Sequence, residues 1–282
     1  MSAAADLQAL LQARYGDAGP AMSGLGHGHG QDDAVLATLL AHRSVRGYTP
    51  QPVAPGTLPR MLAAAQSASS SSNLQTWSVV AVEDPARKQR LAALAGHQRH
   101  IVECPLLLVW LADLARLDAM GERRGAAREG LDYLELLMVG VIDAALASQN
   151  AAVAAEAAGL GIVYIGGMRN QPEAVAAELG LPPRTVAVFG MCVGHPDPAA
   201  PAGIKPRLPP AAVLHRERYD AAAAADAAEG YVATMSGFHA AQAMKTQGDW
   251  AAHSLHRVRG AEALQGRDRL AEALRQRGFP AR

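Results

Sequence analysis

Three short polar stretches carry side chains able to hold an anion or a polar heterocycle. The first is His42–Arg46, HRSVR. Two guanidinium groups, an imidazole and a hydroxyl leave the end of an apolar stretch together. Guanidinium presents paired N–H donors that match phosphate or carboxylate oxygens, so the cluster suits an anion grip. It also suits a solvated loop. The second is Ser67–Trp77, SASSSSNLQTW, in which Ser69 to Ser72 run into Asn73, Leu74 and Gln75. As low-complexity sequence it would be a flexible linker. The elements on either side are well formed, however, so a linker would have nothing to separate. Held between rigid elements, these hydroxyls and amides form a row of donors and acceptors suited to a flat heterocycle with polar edge atoms. The third is GIKPRLPP, where Pro206 holds Lys205 and Arg207 apart. That pair is either solvated or a clamp for phosphate. Two basic clusters and one polar row together suggest a phosphorylated, heteroaromatic cofactor.

Other chemistries find less support. No G-x-G-x-x-G opens a helix after a strand, and no G-x-x-x-x-G-K-[ST] is present, so neither a Rossmann nor a P-loop nucleotide site is the reading. No Ser-His-Asp or metal-ligand spacing stands out. His27 and His29 lie in the Gly-rich stretch GDAGPAMSGLGHGHG, which reads as a loop rather than a metal site for want of a third ligand. Cys104 and Cys192 sit in apolar runs and read as buried, reduced core residues, since two cysteines are too few for a disulfide framework. The 282 residues carry 26 basic and 26 acidic side chains, so no surface-wide attraction for nucleic acid or an anionic membrane is expected. The N-terminus carries Asp6 and lacks the basic start of a secretory leader, and the most apolar window, Cys104–Ala112, is too short to span a bilayer. A cytoplasmic protein is expected.

The elements that must position these stretches are mostly helical. Residues 1–16 read as a short amphipathic helix with Leu7, Leu10 and Leu11 on one face. A helix capped by Asp32 or Asp33 delivers the HRSVR cluster, and another, entered at Thr57 with Pro59 in its first turn, runs into the serines. WSVVAVED reads as a strand, DPARKQRLAALAGHQRHI as a helix, and CPLLLVWLAD as a central strand. Leu131 to Gly161 reads as a long helix with almost no polar face. It should be buried on nearly all sides, most easily by packing on a second subunit as well. IVYIGGM is a strand ending in a double-glycine turn, QPEAVAAELGL a helix and RTVAVFGMCVGHP a strand. The alanine-rich tail alternates helix and loop. The pattern predicts an α+β fold, a small sheet covered by helices.

In order along the chain, HRSVRGYTPQPV, SASSSSNLQTW, GHQRH, GLGIVYIGGMRN and FGMCVGHPD…IKPRLP resemble the nitroreductase superfamily. The resemblance is to the NADPH-dependent flavin reductase and oxygen-insensitive nitroreductase group. It covers residues 34–219, with echoes near Trp250 and in LRQRGFPAR. It implies a flavoprotein with FMN bound non-covalently at the interface of an intertwined homodimer, on a small, mostly antiparallel sheet wrapped by helices. Residues 31–282 would form a single FMN-binding domain, and residues 1–30 an N-terminal extension.

By the same resemblance, His42, Arg43, Ser44 and Arg46 would contact the phosphate and the pyrimidine edge of the flavin. Ser70, Ser71 and Ser72 would line the cofactor, and Gln98 would reach the ring. Tyr164, Ile165, Gly166 and Gly167 would lie against the isoalloxazine, and Lys205 and Arg207 would complete the phosphate grip. Arg46 would stabilise negative charge on the reduced ring. The implied function is FMN-dependent NAD(P)H oxidoreduction of nitroaromatics, quinones or free flavin, by ping-pong hydride transfer through flavin N5 with no side chain as acid or base. Alternatives are a flavoenzyme of this fold with one dedicated substrate, or a non-catalytic FMN-binding redox sensor. Two departures bear on substrates. The segment before Trp250, expected to carry arginines for the 2′-phosphate of NADPH, has Lys245 only, so NADH becomes a plausible donor beside NADPH. Asn73 replaces a bulky apolar residue beside the acceptor, and Arg267 falls where a substrate-facing arginine is expected. The conformation near Met235–Lys245 is left open.

Overall fold

The apolar run beginning at Cys104 becomes a strand buried along its whole length, and an antiparallel sheet is built around it. The computed structural model describes residues 3–16, 34–200, 202–280 and 282. The strands are β1 (Trp77–Val82), β2 (Leu106–Asp113), β3 (Gly161–Ile165) and β4 (Thr185–Gly194), in spatial order β1-β2-β4-β3. All eight residues of β2 are buried. With both faces covered, it has no need of polar alternation, which is why it reads as a continuous apolar run. Its register runs from Trp77↔Ala112 to Val82↔Leu107 against β1, and from Leu106↔Val193 to Asp113↔Thr185 against β4. The expected α+β architecture and antiparallel sheet are what the chain forms.

The described residues fall into two compact units. One comprises Ser44–Pro201 with Leu264–Arg282, and the other Met1–Arg43 with Ala202–Ala263. The second unit contains α1 (Ala3–Tyr15), α2 (Ala34–Ala41), α9 (Ala221–Ala241) and α10 (Trp250–Arg257). The sheet unit contains α3 (Thr57–Gln66), α4 (Pro85–Leu94), α5 (Arg99–Glu103), α6 (Ala115–Arg124), α7 (Leu134–Glu156), α8 (Pro172–Leu179) and α11 (Leu270–Gln276). His27, His29, Asp32 and Asp33 lie outside the described residues.

Several boundaries differ from the sequence expectation. The helix expected across Asp84–Ile101 is two helices. Asp84 caps α4 by accepting from the Arg87 N–H at 2.7 Å, but Gly96 and His97 turn left-handed, at φ 86° and 58°, and the chain restarts as α5. The stretch between β2 and α7 carries α6, none of whose residues is buried, so it shows no apolar stripe in the sequence. The segment near Met235, whose conformation the sequence leaves open, is helical as far as Ala241. Met235 is a buried residue of α9, and the non-helical connection is confined to Gln242–Asp249, where Asp249 caps α10.

Helix α7 is buried on one face only. Beyond Leu137 and Val139, its inner face is made mostly of small residues, including Gly140, Ala144, Ala147, Ala151 and Ala155. They let the helix lie close to the sheet: a Cβ on Gly140 would stand 3.1 Å from the Ala112 methyl and 3.2 Å from the Thr76 carbonyl. Other large apolar residues face outward, with Met138 and Ile142 each 51% exposed and Leu134 and Leu146 close behind. This 23-residue helix is long and apolar enough to cross a membrane by length and composition, but half its most apolar window is buried, as in a core helix.

One acid interrupts the inner face. Asp143 is 1% exposed. Its carboxylate accepts from the Ser70 hydroxyl (2.8 Å), the Ser71 N–H (3.3 Å), and the Thr76 N–H and hydroxyl (both 2.9 Å). Removing it would leave those donors unpaired in the interior. Asp143→Ala is expected to lower unfolding stability by about 2–5 kcal/mol, with Asp143→Asn costing less. Thermal melts of the two variants check this, and an unchanged Asp143→Ala melt would contradict the anchoring role.

Candidate functional site

The double-glycine turn after β3 is closed tightly against a second motif. Gly166–Arg169 form a 3-10 turn, and any side chain on Gly167 would collide with the Ala95 carbonyl and stand 2.8 Å from the Gln98 amide nitrogen. Gln98 Nε2 in turn donates to the Ala95 carbonyl at 2.8 Å. The GHQRH and GGMRN stretches, about seventy residues apart in sequence, are therefore in direct contact (Gln98 to Gly167). Tyr164 sits beside this turn, edge-on to Phe189 with ring centroids 5.2 Å apart, and its hydroxyl meets Ser148 Oγ at 3.3 Å. Burial pushes its phenol up to about 12, so it is a neutral group at working pH. A cavity of about 370 Å³ opens here, lined by Tyr164, Gly166, Arg169 and Phe189 and, from α7, by Ala145, Ser148 and Gln149. By helical spacing, Ala145 and Gln149 share the outward face of α7 with Met138 and Ile142.

Two arginines converge on Gly166. A Cβ placed on Gly166 would stand 3.4 Å from Arg169 Nη2 and 3.9 Å from Arg267 Nη1. Arg169 is held by a hydrogen bond to the Val188 carbonyl, and Arg267 Nε donates to the Leu264 carbonyl at 2.9 Å. Burial, and then the Arg267 charge, lower the Arg169 pKa. Arg267 is thus placed beside the turn that the sequence analysis assigned to the ring. Arg169 is a residue that analysis missed, and its signal was its position directly after Gly166, Gly167 and Met168.

The serine run is a formed turn, not a tether. Ser70 is committed inward: its hydroxyl donates to Asp143 and accepts from the Gln75 N–H, both at 2.8 Å. Ser71, Ser72 and Asn73 are exposed. Ser72, Asn73 and Gln75 adopt left-handed backbone, at φ 48°, 54° and 53°. Each such non-glycine residue costs on the order of 1 kcal/mol or more, so the surrounding contacts must hold the turn in shape. Asp143 supplies those on one side. Arg116 supplies others, through the Gln75 and Trp77 carbonyls.

In the sheet unit, Ser44 to Arg46 of the first basic cluster run along the edge of β3. The Val45 N–H donates to the Ile162 carbonyl at 2.9 Å, and Tyr48 OH donates to the Val45 carbonyl at 2.7 Å. Gly161 makes the approach feasible, since a Cβ there would lie 2.6 Å from Val45 Cγ2. Val45 is buried and Arg46 exposed. Burial and, next, the nearby Arg46 charge lower the His100 pKa, so the second His of GHQRH is held towards its neutral form. In the other unit, Arg43, Lys205 and Arg207 are exposed, while Pro206 between the last two is buried. The His42 and Lys205 carbonyls both accept from Arg14.

Cys104 and Cys192 are free and buried. No group of three His, Cys, Asp or Glu residues able to hold a metal occurs among the described residues.

Comparison with known proteins places this geometry. Residues 39–195 match the nitroreductase family, and residues 205–282 match the nitroreductase family C-terminal domain. The chain belongs to the nitroreductase family. It is 42% identical over 186 residues to an FMN reductase (NADPH) of Bacillus subtilis, a match covering 66% of this chain and 74% of that protein. It is 37% identical over 207 residues to an NADPH-flavin oxidoreductase of Vibrio harveyi, covering 73% and 83%. Its structure is similar to that of the NfrA1 nitroreductase from B. subtilis, with a TM-score of 0.81 and 34% identity over 88% of this chain and all of the other. Within the nitroreductase family, the matched span takes in the HRSVR cluster, the serine turn and the double glycine together.

Proposed function

We propose that this nitroreductase-family chain is an FMN-dependent NAD(P)H oxidoreductase that reduces nitroaromatics, quinones or free flavin in two separate half-reactions. The observation that carries the reading is the Gly166–Gly167 turn. Its backbone is locked onto Ala95 and Gln98, faced by Arg169 and Arg267, and open to a cavity with Tyr164 as its other wall. The names of the relatives support the same cofactor and donor.

The residues present fit FMN. Glycine at 166 and 167 leaves a flat backbone surface for a planar ring, the exposed Ser71 and Ser72 offer hydroxyls to its polar edge, and the exposed Arg43, Lys205 and Arg207 supply cations for a phosphate. Bound FMN supplies the two-electron centre that accepts hydride from a reduced nicotinamide and passes it to the acceptor. In the one unit His42, Arg43, Lys205 and Arg207 would hold a phosphate; in the sheet unit Ser44 and Gln98 would orient the ring and Ile165 and Gly166 would offer it their backbone. Arg46 would place positive charge at the pyrimidine edge and stabilise negative charge there. Arg169 and Arg267 attract electron-rich nitro and quinone oxygens. Tyr164, kept neutral by burial, acts as a wall and not as an acid. Water supplies the protons.

The connection Gln242–Asp249 carries Lys245 as its one basic residue, which favours use of either nicotinamide. Asn73, exposed in the serine turn, gives the acceptor side a polar character and favours a dedicated polar substrate as the second reading. The outward apolar face of α7 fits a homodimer. Met138, Ile142 and Leu146 are too large and too exposed to be left in water, and Ala145 and Gln149 on that face line the ring cavity. The neutral charge and two reduced thiols suit a cytoplasmic location.

Initial-rate kinetics test the reaction. Varying NADPH or NADH at several fixed quinone concentrations should give parallel double-reciprocal lines, and intersecting lines would overturn the two-step scheme. Ile142→Glu should shift the particle to monomer in light scattering and lower flavin content. A fully flavinated dimer of that variant would contradict the interface.

A further inference from the structure

We propose that Arg14, in the N-terminal helix, is a positioning residue that shapes both phosphate-binding loops so that the protein discriminates a phosphorylated flavin from an unphosphorylated one. The inference rests on the FMN reading above and extends it to a segment outside the family match, which begins at residue 39.

Arg14 lies in the last turn of α1 and is only 4% exposed. Its guanidinium is turned onto backbone carbonyls. Nη1 donates to the Lys205 carbonyl, and Nη2 to the Leu40 and His42 carbonyls, all at 2.7 Å. Its own carbonyl accepts from the Arg207 N–H at 2.9 Å. One residue therefore ties the end of α2, the HRSVR cluster and the KPR segment to a common point. A cation on the last carbonyls of α2 is also favoured by the helix dipole.

These bonds have a consequence for an anion. Carbonyl oxygens facing a phosphate repel it. Here the His42 and Lys205 carbonyls are drawn onto Arg14, and the Pro206 carbonyl is taken by Tyr231 OH at 2.7 Å. Tyr231 is fixed in turn by edge-on contact with Trp250, ring centroids 5.0 Å apart. With its backbone tied at three successive residues and Pro206 buried, the segment exposes Lys205 and Arg207 on either side of the anchor. Lysine at position 14 would keep the charge but lose the planar fork that reaches three carbonyls at once.

A merely structural role would weaken the binding of any flavin, whereas a role in shaping the phosphate loops acts on the phosphate alone. The test titrates flavin-free wild type, Arg14→Ala and Arg14→Lys with FMN and with riboflavin, following flavin fluorescence, with circular dichroism to check folding. Arg14→Ala should lose roughly tenfold or more in FMN affinity, with riboflavin affinity changed by less than about twofold and Arg14→Lys in between. Equal losses for both flavins, or unchanged FMN affinity, would overturn the role of Arg14. If Arg14→Ala does not fold, Arg14→Lys decides: a reduced FMN-to-riboflavin preference supports the role and an unchanged one refutes it. Failure of the wild type to bind either flavin would instead overturn the FMN reading on which the inference stands.

Discussion

A carboxylate enters a protein interior only when its hydrogen bonds are made there, and Asp143 meets that condition with the serine turn. The dependence runs both ways. The acid needs the Ser70, Ser71 and Thr76 donors. The turn, with left-handed Ser72, Asn73 and Gln75, needs a fixed anchor to hold a backbone it would not otherwise keep. Because Asp143 is also a residue of α7, the polar row is referenced to the helix that lines the cavity beside Tyr164 through Ala145, Ser148 and Gln149. One side chain thus couples the placement of a surface turn to that of a core helix.

Helix α7 inverts the usual arrangement of side-chain size. Glycine and alanine make up most of its buried face and allow close packing, with Leu137 and Val139 buried near its start, while Met138, Ile142 and Leu146 face away. The exposed outer surface of this helix adjoins the cavity beside Tyr164 and Arg169. In the proposed homodimer, covering this face and completing the proposed ring site would be the same event, and flavin content would follow subunit association.

Much of this was legible in the sequence, for reasons specific to each element. β2 was readable because burial on both faces leaves an uninterrupted apolar run, and β3 with its double glycine because the turn must close on a neighbouring backbone. Helix α6 was hidden because it has no fully buried residue and packs only the partly buried Leu117 on the core. The break between α4 and α5 was marked by Gly96, which ends α4 in the left-handed conformation, while the positive φ of His97 beside it gave no signal. Ser70 could not be told from Ser71 and Ser72 by type. Only the position of Asp143 separates a serine turned inward from two turned out. That lone acid within an apolar helix was the available signal. Arg14 gave none, because its partners are carbonyls, which every sequence has.

In the proposed reading, side chains bind, orient and polarise while the cofactor would move the electrons. The central claim is that these residues hold FMN and expose it to a reduced nicotinamide. The most direct test is the visible absorption spectrum of the purified protein, recorded before and after anaerobic addition of NADPH and, separately, NADH. The account predicts a yellow protein that is bleached by at least one donor. A colourless protein that takes up no added FMN would contradict it.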